Sequence, residues 1–457
     1  MDHSKAAKEY NLDEERVNWH DKALWYLRHK RDIEVKEISE WEKLKDAASE
    51  IKMDVLSNLD IYLEEFEQKA QANGVHVHWA EDGNEHNRIV KELLVKHGAK
   101  TLVKSKSMLT EECGLNHYLE KQGIEVIDTD LGERIVQLAG ERPSHITAPA
   151  IHKTKEEVDE LFQAKLGAKP SKGDPQTITQ VARNDLRSYF LKADASLTGV
   201  NFALADSGGF VVCTNEGNAD MGVHQTPLHI ASMGIEKLIP KTEHLGVFLR
   251  LLARSASGQS ITSYSSHFFK PGIKQEIHVV IVDNGRSNLL GKDDFRNSMK
   301  CIRCGACMNT CPIFRRSGGH SYGSVIPGPI GSILSPNISM KEHSSLPFAS
   351  TLCGSCTDIC PVRIDIDTQL YKWRQLILKK HPKTLKKLIM KGMAMVFNHP
   401  KIFDFVGRIV RKLMLKSPRF LLYNRYNVWG KNRELPPSPK QSFKEWYRIN
   451  RKANDGE

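Results

Sequence analysis

Nine cysteines occur in the 457 residues, and seven of them fall into two runs. The first run is Cys301, Cys304, Cys307 and Cys311 followed by Pro312; the second is Cys353, Cys356 and Cys360 followed by Pro361. The first has the spacing C-x2-C-x2-C-x3-C-P that bacterial ferredoxins use for cubane iron–sulfur clusters. Three thiolates spaced this closely wrap one tight loop around three corners of a cube. The fourth, followed by proline, leaves the loop and reaches the other cluster. The expected wiring is therefore crossed. Cys301, Cys304, Cys307 and Cys360 hold cluster one, and Cys311, Cys353 and Cys356 hold cluster two. The second run lacks its first cysteine, and alignment from Cys360 backwards puts the vacant place on Ser350. Two [4Fe–4S] clusters are expected. At the second, Ser350, water, a partner residue or a bound substrate fills the open corner, or the site holds a [3Fe–4S] cluster; the spacing leaves these open. Disulfides suit small secreted chains, and zinc knuckles need neither the third cysteine nor the Cys-Pro ending.

Outside these runs the densest polar stretch is 198–218, which ends in Thr214-Asn215-Glu216-Gly217-Asn218. Placed at a strand end, it lets a small anionic or carbonyl ligand meet backbone N–H groups and Glu216, the one candidate base. Neither G-x-G-x-x-G nor a Walker pattern is present, so no nucleotide is inferred. His224 and His229 lack metal-binding spacing and read as core or supporting residues. His76 and His78 lie on one face of a strand and read as a solvated face. Cys113 and Cys213 stand alone and read as buried structural thiols.

The elements around these residues divide into four regions. Residues 1–72 show apolar positions at three- and four-residue steps and form a helical lead-in. Residues 73–290 alternate strand and helix in the rhythm of a parallel α/β sheet. Strands are expected at 75–79, 100–104, 124–128 and 278–283, with helices at 84–97, 109–122, 131–139 and 177–193. Ligands on such sheets bind beyond the carboxyl ends of the strands. That rule puts Ser105, Lys106, Ser107, Thr129 and Asp130 near a cleft, although the same residue types also cap helices. Residues 168–176 form a linker, and Gly208-Gly209 suits a hairpin. Residues 291–375 form the two-cluster module, in which 315–337 covers the clusters and 366–378 packs on them as a helix. Residues 376–457 form a basic helical region.

Formal charge is +11, unevenly spread. From Lys372 to Lys452 there are 22 Lys/Arg against 3 Asp/Glu, a surplus of +19, so the remainder carries −8. In this tail Ile402, Val406, Ile409, Val410 and Leu413 make an apolar stripe flanked by Arg408, Arg411, Lys412 and Lys416. Docking on an acidic partner is its first expected use and peripheral contact with an anionic membrane face its second. Nucleic-acid binding is set aside, because no motif for it accompanies the charge. The first sixteen residues are polar and no apolar run reaches membrane-spanning length, so the expected location is cytoplasmic, with membrane association at the inner face open to the tail.

The runs Ser105 to Glu112, Thr129 to Glu141, Pro149 to His152 and Thr214 to Asn218 resemble the lactate-utilisation domain. Joined to the seven-cysteine module, the chain closely resembles the lactate-utilisation protein B family over nearly its whole length. The resemblance implies an α/β domain of the sugar-isomerase/CoA-transferase type beside an α-helical ferredoxin-type dicluster module. It also implies a role in oxidising L-lactate to pyruvate with two sister proteins, a second iron–sulfur subunit and a smaller α/β subunit. The family's cluster ligands map onto the same seven cysteines, and the vacancy at Ser350 follows the family's pattern. The expected role is electron transfer through two clusters. Its rivals are direct binding of the hydroxy acid by the α/β domain, and a scaffold that docks partner subunits.

Overall fold

The computed structural model describes residues 2–380, 384–416, 423 and 439–454. Its centre is a six-stranded, all-parallel sheet. The strands of the α/β region are β1 (His76–Ala80), β2 (Thr101–Lys104), β3 (Glu125–Asp128), β4 (Ala195–Gly199), β5 (Phe202–Leu204), β6 (Gly209–Thr214), β7 (Leu228–Gly234), β8 (Leu238–Ile239), β9 (Tyr264–Phe268) and β10 (Glu276–Val282). The main sheet runs β1-β10-β7-β4-β2-β3. Its inner strands are covered on both faces, so they read as continuous apolar runs: all of β7 and all of β10 after Glu276 are buried. The second sheet runs β8-β5-β6-β9 and is built on the β5–β6 hairpin.

The strand–helix alternation lies where the pattern puts it, with one difference. The helix expected over 109–122 is two helices, Met108–Cys113 and Leu115–Glu120. Gly114 between them adopts φ +66, a conformation open to glycine at no steric cost, and the chain turns there. The linker carries no regular structure from Ala168 to Ser171. It is pinned by the Asp159 carboxylate, which accepts hydrogen bonds from the Ser171 N–H and hydroxyl and the Gly173 N–H.

The lead-in forms the helices His3–Tyr10, Glu14–Lys36, Trp41–Ser57 and Leu59–Ala72. They pack on the cysteine module as well as on the sheets. His20 Nδ1 lies 2.9 Å from the Arg315 carbonyl, Arg28 bonds Thr310, Lys45 donates to the Asp358 carbonyl at 3.0 Å, and Arg363 pairs with Asp46 and Glu42. The cover is ordered: the helices Pro312–Ser317 and Gly328–Ile338 bury Phe314, Ile330 and Ile333, with Tyr322 buried between them.

By internal contacts the chain divides after Ile377. The second unit holds the helices Thr384–Asn398, Pro400–Lys416 and Phe443–Asn454, tied by Arg411–Glu445 at 3.1 Å and Lys444–Asp404 at 2.6 Å. Ile402, Ile409, Val410 and Leu413 are all exposed on one helix, and Val406 is half-buried. Part of the basic tail, including the Lys416 side chain, lies outside the described residues. Among the described residues no helix is long and apolar enough to cross a membrane.

Candidate metal centre and adjoining cavity

The two cysteine runs fold back on each other. Cys301, Cys304 and Cys307 line one small cavity with Cys360, closed by Ile146, Ile330, Val362, Ile364 and Ile366. Four sulfurs drawn from two runs thus face a common apolar space. Burial raises the thiols of Cys311 and Cys356, and nearby charge adds to it, from Cys353 at Cys311 and from Cys311 and Cys353 at Cys356, so the three lie close together. Loop geometry makes the wrapping possible: Arg303, Gly305, Leu352 and Gly354 all adopt positive φ. Cys304, Cys307, Cys311, Cys356 and Cys360 are buried, Cys301 is half-buried, and Cys353 is exposed, so the incomplete set is the one that faces outward.

The donor set fits iron–sulfur clusters. All seven cysteines are free thiols. Each sulfur faces a backbone N–H, supplied in chain order by Arg303, Ala306, Ile330, Phe314, Ser355, Thr357 and Ile364. N–H groups aimed at sulfur are among the levers by which a protein holds and tunes an anionic cluster. Two buried cations add to them. Lys52 donates to the Glu236 and Leu238 carbonyls, and Lys300 donates to Ser49 Oγ at 2.9 Å and the Arg363 carbonyl at 3.2 Å. Neither forms an ion pair among the described residues; burial lowers both ammonium groups, opposed at Lys52 by Glu236 and, less, by Cys301, and at Lys300 by Cys360 and Asp365. An isolated buried ammonium is costly, and an anionic centre beside it removes that cost. Ser350 is half-buried in the loop before Cys353. Its Oγ accepts from the Leu352 N–H at 3.0 Å, and its carbonyl accepts from Arg374 at 2.7 Å.

A second cavity, of about 350 Å³, opens beyond the carboxyl ends of the main-sheet strands. Lys106 and Ser107 follow β2, Asp130 follows β3, Asn201 follows β4, Glu236 and Lys237 follow β7, and Arg286 follows β10; all line it. The end of β6 adds Cys213, Thr214, Asn215 and Glu216, and the first cysteine loop adds Arg303. Of the five residues placed near a cleft by the strand-end rule, Lys106, Ser107 and Asp130 line it, while Ser105 and Thr129 are buried beside it. Ser107 and Asp130 also cap the helices that follow, so capping and lining are one role of position. Cys213, expected to be purely structural, is half-buried on the cavity wall; burial pushes its thiol up to about 11. His229 is a core residue 2.9 Å from Thr198 Oγ1, held by burial down to about 3. His224 is exposed and Cys113 half-buried.

Arg286 crosses the wall between Glu236 at 2.7 Å and Glu112 at 2.8 Å, and Glu112 reaches on to Arg303 at 3.2 Å. The Arg303 backbone N–H in turn points at Cys301 Sγ at 3.4 Å. One residue thus joins the cavity to the cysteine loop. Lys106 and Lys237 face the cavity without an ion pair among the described residues, and burial lowers the Lys237 ammonium below its ordinary range. Glu216 stands at the exposed mouth and accepts from the Leu131 N–H at 3.1 Å. Loss of solvation on its inner side, with the Asp130 charge, pushes its carboxyl up to about 7. Beneath β2 and β3, Lys104 is fully buried with Asp128 at 2.8 Å and Glu111 at 2.9 Å.

Sequence reasoning missed Glu112, Glu236, Lys237, Arg286 and Arg303 as wall residues. The signal for Glu236, Lys237 and Arg286 was available, because each closely follows a strand of the main sheet. No local pattern could show that Arg303 turns away from its own cysteine loop.

Comparison with known proteins gives two family matches, a LUD domain over residues 63–287 and a 4Fe-4S dicluster domain over residues 297–364. Lactate utilization protein B of Shouchella clausii is 41% identical over 435 residues, covering 91% of this chain and 90% of its own. The proteins of that name from Macrococcus caseolyticus and Bacillus pumilus are 40% and 42% identical, each over more than 90% of this chain. A crystal structure of a DUF162 family protein from Deinococcus radiodurans aligns with 49% of this chain at 13% identity and a TM-score of 0.27, too slight a likeness to build on.

Proposed function

The chain belongs to the lactate utilization protein B family, and from that membership we propose that it is the iron–sulfur electron-transfer subunit of a system that oxidises L-lactate to pyruvate. The observation that carries the proposal is the union of Cys301, Cys304 and Cys307 with Cys360 around one cavity, with Arg303 leading from that loop to the strand-end cavity. Clusters bound there supply one-electron acceptors, whereas oxidation of the hydroxy acid releases two electrons and two protons. Cys301, Cys304, Cys307 and Cys360 hold the first centre, and Cys311, Cys353 and Cys356 the second. The backbone N–H groups and Lys52 and Lys300 favour added negative charge at these centres. The apolar cover keeps water from the first centre, and the exposed Cys353 offers the second to a partner. The sister iron–sulfur subunit and the smaller α/β subunit complete the system.

The test is Cys304→Ser and Cys356→Ser in the assembled system. Both are expected to abolish lactate-dependent reduction, with about eight irons per chain falling to about four; full turnover in either variant would sink the idea. A second reading, in which the strand-end cavity itself takes the hydroxy acid, is favoured by Lys106 and Lys237, which have no ion pair among the described residues and line the cavity with Glu216. The cations draw the carboxylate, and Glu216 accepts the hydroxyl proton. Calorimetric titration of the whole chain with pyruvate tests it: saturable binding lost in Lys237→Met supports this reading, and no heat at millimolar ligand ends it.

A further inference from the structure

β1 and β10 are neighbours in the main sheet, with His76 opposite His278. Side chains two apart on a strand share a face, so His78 joins His76 and Glu276 joins His278. The amino-terminal ends of the two strands therefore gather three imidazoles and a carboxylate, at the end of the sheet remote from the strand-end cavity. His97, which ends the helix Gly83–Lys96, adds a fourth imidazole, its Nε2 3.4 Å from Glu276 Oε2. The expectation that His76 and His78 form a plain solvated face is thus incomplete.

His278 is the buried centre of the group. Its Nδ1 lies 2.9 Å from His78 Nε2, its Nε2 lies 3.2 Å from Glu276 Oε2, and its ring stacks on His76 at 4.7 Å between centroids. One ligand atom from each of His76, Glu276 and His278 falls within 4.8 Å of the other two. We propose that His76, Glu276 and His278 bind a divalent transition ion of the zinc class, at a centre separate from the cysteine module. Two imidazoles and one carboxylate are a common zinc ligand set, and nitrogen donors disfavour magnesium or calcium. His278 Nε2, facing the carboxylate, is the ligating nitrogen. Its Nδ1–H then donates to His78, the kind of outer hydrogen bond that fixes a ligating imidazole. The exposed side at His76 leaves a fourth position open to water. The ion would tie the edge strand β1 to its inner neighbour β10.

The proposal is independent of the function argued above. Its test uses the full chain, purified anaerobically with its cysteines occupied, titrated with Zn2+ alone by calorimetry and analysed for metals after desalting. One zinc per chain beyond the iron is expected. His76→Ala and Glu276→Gln should each weaken it at least tenfold, and His78→Phe about tenfold, with iron and sulfide unchanged. His76 is exposed, so its loss leaves the fold intact; Cys304→Ser should keep this zinc while losing iron. Zinc bound equally by His76→Ala, or only above about 100 μM, would overturn the proposal and leave a hydrogen-bonded histidine cluster.

Discussion

Burial at single residues sets when the charges of this protein can change. Glu216, raised to about 7, is neutral below that pH and anionic above it. If the strand-end cavity takes a carboxylate, pyruvate affinity should fall about tenfold between pH 6 and 8, the effect of about 1.4 kcal/mol from one added like charge. Glu216→Gln should flatten that profile, which calorimetry at several pH values would read. His229 is the opposite case, a base held down to about 3 by burial. A depressed base stabilises the fold above its unfolded value of about 6.5, and that stability is lost as pH falls toward the folded value. The thermal midpoint should therefore drop steadily from pH 6.5 to pH 4. In His229→Gln the drop should be shallower by about one proton, roughly 1.4 kcal/mol per pH unit; an unchanged slope would remove His229 from the account.

At the scale of elements, what matters is which surfaces meet. The β5–β6 hairpin turns at Gly208, where φ is +67 and an added Cβ would lie 2.2 Å from the Ala70 backbone nitrogen. The hairpin is thus wedged against the helix Leu59–Ala72, and Gly208→Ala should cost about 3 kcal/mol, seen as a lowered thermal midpoint. The lead-in helices were legible as amphipathic from their spacing, and so were the strands of the sheet. That those helices wrap the cysteine module was not legible, because an apolar stripe reports that it is covered and not by what. The helix expected over 109–122 failed at Gly114 because periodicity continues across a glycine even where the backbone turns.

For the whole molecule, charge separates what chemistry the two units meet. The unit after Ile377 exposes Leu388, Met390, Phe397, Phe403, Phe405 and Trp446 among its lysines and arginines. Aromatic and aliphatic groups beside basic ones suit an anionic lipid surface. The full chain is expected to sediment with vesicles containing phosphatidylserine at low salt and to be released by about 0.5 M salt. Failure to sediment would leave an acidic protein partner as the use of this surface.

The amino-acid sequence by itself determined the donor chemistry, the parallel α/β class and the basic tail, because each is written in local spacing or composition. The crossed pairing of the cysteine runs is an expectation from spacing alone; what the structure adds is that Cys360 lies beside Cys301, Cys304 and Cys307. Only the tertiary structure decided which distant residues share a site. Glu112 meets Arg286, Arg303 leaves the cysteine loop for the α/β cavity, and His76 faces His278 across two hundred residues. Such meetings are fixed by strand order and register, which depend on how all the elements pack and leave no trace in any one stretch of chain.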